Sequence, residues 1–276
     1  MRPTPCRSAR WQRGVTLVEM VIVISITAII AGAVAVFITR PIESYADAAR
    51  RAELTDIADT ALRRMARDLR TALPNSVRTT TVGNVRYLEF LQTTGGGRYR
   101  AQPDSGGGGN TLDLTAADAT FDVIGTLPTL AANDSIVVYN LNNSGAVANA
   151  YAGDNRATYS SSAGSTITLT AAKLFPFSSP GNRFQVVQQP VSYACDPDPG
   201  TRTLRRYWGY PIAAAQPTPP GAGSNALLAS DVFECTFTYT PAGAGGRYGV
   251  VSLEMRVQRD SELIRLFHQV HVTNVP

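Results

Sequence analysis

The chain opens with a long run of apolar residues that has no polar face. From Val15 to Ile38 nearly every side chain is apolar, and Glu19 is the only ionisable one. As a helix this run spans about 36 Å, which is enough to cross the roughly 30 Å hydrocarbon core of a bilayer. The pattern therefore predicts a transmembrane helix over residues 15–38.

A second helical pattern follows, with apolar residues every three or four positions and charged residues on the other faces. It predicts an amphipathic helix over residues 39–73. Pro41 is expected to kink or interrupt this helix, and Pro74 to end it. The apolar stripe is expected to pack on the sheet that follows. Its members are Tyr45, Ala49, Leu54, Ile57, Ala58, Ala61, Leu62, Met65, Leu69 and Leu73.

The arginines at residues 63–70 of this helix have two interpretations. They could contact DNA or phospholipid head groups, or they could form a solvated face with ion pairs along the helix. Asp59 with Arg63, and Arg64 with Asp68, have the i,i+4 spacing of stabilising pairs. This spacing favours the solvated face.

From residue 77 onward, short β-rich runs are separated by Gly, Asn, Ser and Pro. The last three runs predict an antiparallel meander, with turns at 243–246 and 258–261. The predicted fold class is α+β: a long N-terminal transmembrane and amphipathic helix packed on a β-rich, largely antiparallel domain over residues 74–276. The predicted strands are Val85–Leu91, Thr111–Thr115, Ser135–Leu141, Thr166–Thr170, Arg183–Gln189, Thr203–Trp208, Val232–Thr240, Tyr248–Gln258 and Glu262–Val272.

Charge sets the first 14 residues apart. The chain has 25 basic and 21 acidic residues, a formal net charge of +4, and its first 14 residues contain Arg2, Arg7, Arg10 and Arg13 but no acid. The remainder is balanced, so the basic isoelectric point describes this leader and does not indicate nucleic-acid binding. Positive charge before the apolar run predicts a cytoplasmic leader and a periplasmic C-terminal domain.

Two common kinds of N-terminal signal fit poorly. A secretory signal peptide needs a small-residue cleavage site after the apolar run, and Phe37 to Pro41 do not provide one. A plain signal anchor gives no reason for Glu19. An acidic residue in a membrane span costs up to about 2.5–3.5 kcal/mol, and less near the interface. Such a costly carboxylate indicates a partner and a function.

The residues Gly14-Val15-Thr16-Leu17-Val18-Glu19 resemble the cleavage and methylation motif of type IV prepilins and pseudopilins. In that motif a glycine precedes the first mature residue, usually Phe and here Val15. The resemblance implies that a prepilin peptidase removes the leader, residues 1–14, by cutting the Gly14–Val15 bond, and then methylates the amino group of Val15. It also implies other major and minor pilins, an inner-membrane assembly platform and the lipid bilayer as partners.

Cleavage at this bond suggests a role for Glu19. It would create positive amino termini beside membrane-buried carboxylates, and the amino group of a neighbouring subunit could neutralise Glu19 when helices pack in a filament. Pairing would relieve the cost of an unpaired buried charge and set the axial register. Tip-capping pseudopilins typically lack this glutamate, so the resemblance places this subunit near the tip but not at its extreme end.

Segments 48–54, 61–70 and 265–276 are similar to minor pilins of the mannose-sensitive haemagglutinin (MSHA) pilus, MshO type. The resemblance covers both ends of the chain, and residues 92–230 match no family. It implies a low-abundance pilin that helps initiate or cap pilus assembly. The implied location is the bacterial inner membrane, as a single-pass protein with a periplasmic C-terminal domain, and then the pilus or pseudopilus.

Two alternatives stay open. One is a minor pseudopilin of a type II secretion system. The other is a pilin-like DNA-uptake or adhesion subunit, which would need a basic patch carrying aromatic residues. Arg202–Tyr210 has this composition, but as a strand its side chains would divide between two faces, and a nucleic-acid partner is not favoured.

Cys6 lies in the leader, and Cys195 and Cys235 form an even pair in an exported domain. Such a pair predicts a disulfide, with two buried thiols as the alternative. Two cysteines are too few for structural zinc.

No cofactor, metal or catalytic site is predicted. The glycine runs 95–97 and 106–109 lack the Lys and Ser/Thr of a phosphate loop and are expected to be flexible surface loops. His268 and His271 would point to opposite faces of a strand. Asp196 and Asp198 supply too few oxygens for calcium, which favours a simple turn. No serine lies in a nucleophile elbow, so an enzyme is not expected.

Overall fold

The computed structural model describes residues 14–145, 147–241 and 246–275, except for the side chains of residues 39 and 41–43. Residues 1–13 of the predicted leader, and most of the predicted turn at 243–246, lie outside the described residues. The chain divides into two compact units, the N-terminal unit Met1–Arg50 and the C-terminal unit Arg51–Pro276.

The described residues form one helix and twelve strands, which confirms the α+β class and the largely antiparallel sheet. Helix α1 is Leu17–Leu69. The strands are β1 (Arg78–Val82), β2 (Val85–Tyr99), β3 (Asp118–Ile124), β4 (Ser135–Val138), β5 (Arg156–Ala163), β6 (Thr166–Lys173), β7 (Arg183–Asp196), β8 (Thr203–Trp208), β9 (Ser224–Ala229), β10 (Val232–Thr240), β11 (Tyr248–Arg259) and β12 (Glu262–Thr273).

Helix α1 continues through Pro41, so the helix is not interrupted there, and the alternative of a kink stays a prediction. A proline removes one backbone donor, but its fixed φ is compatible with a helix. The runs on both sides of Pro41 favour helix by their own sequence, and helices with strong flanking turns tolerate such a loss.

The helix ends at Leu69, earlier than the predicted end at residue 73. The backbone N–H groups of Thr71 and Ala72 bond to the carbonyls of Asp68 and Leu69, three residues back. The N–H of Leu73 then bonds to the carbonyl of Leu91 in β2 at 2.8 Å. Pairing with the sheet therefore takes over the residues that the periodic pattern assigns to a last helical turn.

The main core of the C-terminal unit lies between α1 and strands of both sheets. The predicted apolar stripe is buried from Leu54 onward, and Leu54, Ala58 and Met65 are completely inaccessible to solvent. These side chains share one core with Tyr193 of β7 and Leu253 of β11. The packing of the stripe on the sheet is confirmed from Leu54 onward, whereas Tyr45 and Ala49 are exposed. Removing this much apolar surface from water is the dominant favourable term in folding.

Nine strands form one sheet in the order β1-β2-β3-β6-β5-β4-β7-β8-β9. Strand β2 also pairs with β7, which closes a ring of six strands, β2-β3-β6-β5-β4-β7. A second core fills this ring, where the rings of Phe121 and Phe184 meet edge to face with centroids 5.6 Å apart. The other three strands form the antiparallel meander β10-β11-β12, as predicted.

The glycine run 95–97 is part of strand β2 and is not a flexible loop. Gly96 and Gly97 pair with Gln185 and Phe184 of β7. A Cβ on Gly97 would lie 2.8 Å from the ring of Phe184, which is closer than real Cβ contacts. The glycines let a large aromatic ring pass close to the backbone, and this is a recognised use of glycine inside strands.

Residues 111–115, predicted as a strand, form an irregular segment. The carboxylate of Asp113 accepts hydrogen bonds from the backbone N–H and hydroxyl of Thr115, both at 2.7 Å, and from the N–H of Ala116. An aspartate that binds the backbone two residues on bends the chain. This turn replaces the strand.

The Cys195–Cys235 disulfide is present and joins β7 of the large sheet to β10 of the meander. Its Cα atoms are 6.3 Å apart, and both cysteines lie in the main core. Because the cysteines are 40 positions apart in sequence, the bond restricts a long loop of the unfolded chain.

A buried ion pair connects β1 and β2. The guanidinium Nε of Arg78 donates to the carboxylate of Glu89 at 2.6 Å, and the hydroxyl of Tyr210 donates to the other carboxylate oxygen at 2.9 Å. Burial raises the pKa of Glu89, and the charge and hydrogen bond of Arg78 oppose this rise. Arg78 also lies 3.6 Å from the ring centroid of Tyr151. The cation therefore offsets the cost of a carboxylate that is completely buried.

Replacing both cysteines, as Cys195→Ala with Cys235→Ala, is expected to lower the free energy of unfolding by roughly 4 kcal/mol, because the unfolded chain regains loop entropy. Urea unfolding of a soluble fragment covering Arg51–Pro276 measures this loss. The control is the wild-type fragment after its disulfide has been reduced, and its free energy of unfolding should approach that of the variant. Equal stability of the variant and the oxidised wild type would contradict the prediction.

The variant Glu89→Gln is expected to destabilise the same fragment by about 3 kcal/mol, because it leaves a buried arginine without its counter-charge. Asp59→Asn is the matched control, since it removes a carboxylate from the exposed Asp59–Arg63 pair and should change stability little. Urea unfolding compares the two. If both variants lost a similar amount of unfolding free energy, the buried Arg78–Glu89 pair would contribute no more to stability than the exposed Asp59–Arg63 pair.

Candidate functional site

The residues of the predicted processing site precede the helix. Gly14, Val15 and Thr16 have non-helical backbone, and Val15 is 67% exposed. The Gly14–Val15 bond thus lies outside the hydrogen-bonded helix. Proteases act most readily on such exposed, unpaired backbone.

Thr16 caps the start of α1. Its hydroxyl accepts a hydrogen bond from the N–H of Glu19 at 3.3 Å, and its carbonyl accepts one from the N–H of Met20 at 3.1 Å. A threonine at this position satisfies one of the free N–H groups of the first turn. The threonine of the motif therefore fixes where the helix begins. Helix α1 starts at Leu17, two residues after Val15, the predicted first mature residue.

Glu19 lies in the first turn of α1, where the positive end of the helix dipole favours a carboxylate. The spacing from Thr16 to Glu19 is also that of a capping box, in which the glutamate side chain supports the cap. Sequence reasoning missed this capping-box spacing. A test of Glu19 must separate the charge from the cap.

The helix beyond Glu19 is long and apolar enough to cross a membrane. Residues Leu17–Ile38 have a mean hydropathy of 2.9. The hydroxyls of Ser25 and Thr27 donate to the carbonyls of Val21 and Val23 in the same helix, at 2.8 and 2.5 Å. These bonds satisfy the two hydroxyls within the helix, as a hydrocarbon environment requires.

The remaining predicted residues form no site among the parts of the chain that the structure describes. His268 and His271 lie on β12 opposite Leu253 and Val250. Asp196 and Asp198 accept hydrogen bonds from the backbone of their own turn. No group of three histidine, cysteine, aspartate or glutamate side chains in the described ranges could hold a metal ion.

A second cluster that sequence reasoning missed lies on the C-terminal half of α1. The carboxylate of Asp68 accepts hydrogen bonds from the hydroxyl of Tyr193 and from Nε of Arg206, both at 2.7 Å. Arg64 lies 3.2 Å from its other oxygen, as the i,i+4 spacing predicts. Burial raises the pKa of Tyr193, and the charge of Asp68 adds to the rise, so this hydroxyl stays protonated and donates. Tyr193 and Arg206 are too distant from Asp68 in sequence for any local pattern to reveal these bonds.

The family model of the prokaryotic N-terminal methylation motif matches residues 12–35. No curated protein matches the chain, and no solved structure matches it. The matched segment contains Gly14, Val15 and Glu19 and most of the apolar span. The motif supports a type IV pilin-like or pseudopilin protein, and with the apolar helix it fits a membrane-anchored chain. It implies processing by prepilin peptidase and assembly with other pilins.

Proposed function

We propose that this chain is a minor, low-abundance subunit of an MSHA-like type IV pilus that helps initiate or cap filament assembly. The observation that supports the proposal is the match to the methylation motif at residues 12–35, a segment that contains Gly14 and Glu19 and most of a membrane-length helix. The role is structural and involves no catalytic step by this chain.

The processing steps follow from the motif. Prepilin peptidase cuts after Gly14 and methylates Val15, and the basic leader stays in the cytoplasm. The chain is then a single-pass protein of the inner membrane, with the C-terminal unit in the periplasm. The assembly platform draws it from the bilayer into the filament with other pilins.

Glu19 guides assembly in this proposal. Within Val15–Ile38 no other side chain is ionisable, so no neighbouring side chain of this segment compensates its carboxylate. A neighbouring subunit brings a positively charged amino terminus, and pairing the two charges relieves the desolvation cost. Only one axial offset between helices aligns these groups, so the pair selects the register.

The size of the C-terminal unit favours a minor subunit over the major one. Long irregular segments connect its strands, for example between β2 and β3, between β4 and β5, and between β8 and β9. Such segments would crowd a densely repeated filament. The similarity of segments 48–54, 61–70 and 265–276 to MshO-type minor pilins supports the same choice.

A minor pseudopilin of a type II secretion system would carry the same motif and remains the alternative. A DNA-uptake or adhesion subunit has less support, because the Arg202–Tyr210 segment is partly committed to the fold. Within it Arg206 bonds to Asp68, and Tyr210 bonds to the buried Glu89.

Mass spectrometry of sheared surface filaments, beside the inner-membrane fraction, tests the proposal. The expected result is a trace amount of the chain in filaments, beginning at methylated Val15 and containing the Cys195–Cys235 bond. Correct processing with confinement to the envelope would favour the pseudopilin. An intact Gly14–Val15 bond would overturn both readings.

The variant Glu19→Ala is expected to be cleaved normally and to be lost from filaments. Without the carboxylate, the amino terminus of the neighbouring subunit has no counter-charge on this chain. Glu19→Gln removes the charge and keeps the capping-box spacing, because glutamine also serves at this position of a capping box. Loss of both variants from filaments supports charge pairing. Thr27→Ala, a polar-to-alanine change on the same helix, is the control and should assemble. Normal assembly of Glu19→Gln would reject the charge-pairing role.

A further inference from the structure

A groove of about 590 Å³ lies on the C-terminal unit, between the last turns of α1 and strands β8 and β9. We call it the arginine–tryptophan groove. This volume is in the range of pockets that hold a small ligand or a few side chains of a partner. Its lining includes Arg64, Arg67, Arg206, Trp208, Ala226 and Leu228.

The fold holds one cation of this groove in place. Nε of Arg206 donates to Asp68, whose carboxylate also accepts the hydroxyl of Tyr193. The Arg206 guanidinium lies 5.0 Å from the ring centroid of Trp208, within cation–π range. The bond to Asp68 uses Nε, which carries one of the five N–H donors of the guanidinium. A fixed guanidinium with donors to spare is preorganised for a carboxylate or phosphate.

The groove carries an excess of positive charge. Arg64 and Arg206 share the single carboxylate of Asp68. Arg67 is exposed and has no ion pair within the described ranges. Three guanidiniums against one carboxylate leave two uncompensated positive charges, which attract an anion.

The floor of the groove is apolar. Trp208 and Leu228 are partly buried and pack against the main core. Tryptophan and arginine are the side chains that most often dominate the energy of protein–protein contacts. A ligand that fits must therefore combine a negative group with an apolar one.

We infer that the arginine–tryptophan groove binds another protein chain through an acidic side chain next to an apolar one. The acid would pair with Arg67 and the terminal nitrogens of Arg206, and the apolar side chain would cover Trp208 and Leu228. Nucleic acid fits less well, because sequence-tolerant binding of single strands uses open aromatic faces for base stacking. Trp208 already has Arg206 over its ring and packs against the core. The inference does not depend on the filament role.

The test uses the full-length chain in its native cells, with the photoreactive residue p-benzoylphenylalanine replacing Ala226. This position is exposed and lines the groove. Ultraviolet crosslinking followed by peptide mass spectrometry should give an adduct with another protein whose crosslinked peptide contains Asp or Glu. In the Arg67→Glu background the adduct should fall by about tenfold or more.

Arg70→Glu is the matched control, since Arg70 is exposed directly after the last residue of α1 but does not line the groove, and it should leave the adduct unchanged. Changing the partner's acidic residue to Lys should restore crosslinking to Arg67→Glu. The inference is overturned by the absence of an adduct, by an adduct that nuclease removes, or by one that Arg67→Glu does not weaken. Thermal unfolding of both arginine variants checks that they fold alike.

Discussion

The C-terminal unit depends on one contact, the burial of the apolar face of α1 from Leu54 to Leu69. Strands from both sheets contribute to this contact, for example Tyr193 of β7 and Leu253 of β11. Neither sheet has another helix to cover it among the described residues. The stripe includes alanines at 58 and 61, whose small side chains let the helix lie close to the strands.

Hydrogen bonds and ion pairs then fix the rotation of α1 on the sheet, which apolar burial alone does not determine. The hydrophobic effect has no preferred direction, so it does not by itself set the rotation of the helix on the sheet. Asp68 does set it, because its carboxylate must meet Tyr193 and Arg206 at the same time. The disulfide adds a covalent link between β7 and β10 on the same core. Strand β7 is thus the element through which the helix and both sheets are connected.

Local patterns predicted the parts of the fold whose interactions are local or regularly periodic. The apolar stripe of α1, the meander β10-β11-β12 and strand β8 all follow from periods of 3.6 or 2 in sequence. The ring of six strands does not, because β2 and β7 pair across a separation that no local window contains. Gly97 illustrates the failure: its flexibility predicts a loop, whereas its lack of a side chain serves a neighbour, Phe184, that is remote in sequence.

The two candidate sites differ for the same reason. The predicted processing site is linear: Gly14, Val15, Thr16 and Glu19 lie within six consecutive residues, and the sequence alone is enough to propose them. The arginine–tryptophan groove joins Arg67 to Trp208, and each segment alone has an ordinary interpretation as an exposed helix face or strand. Only the Asp68–Arg206 bond brings the two segments together. A family resemblance confined to a linear motif can therefore indicate how such a chain is processed, whereas its choice of partner must be sought in contacts between distant segments.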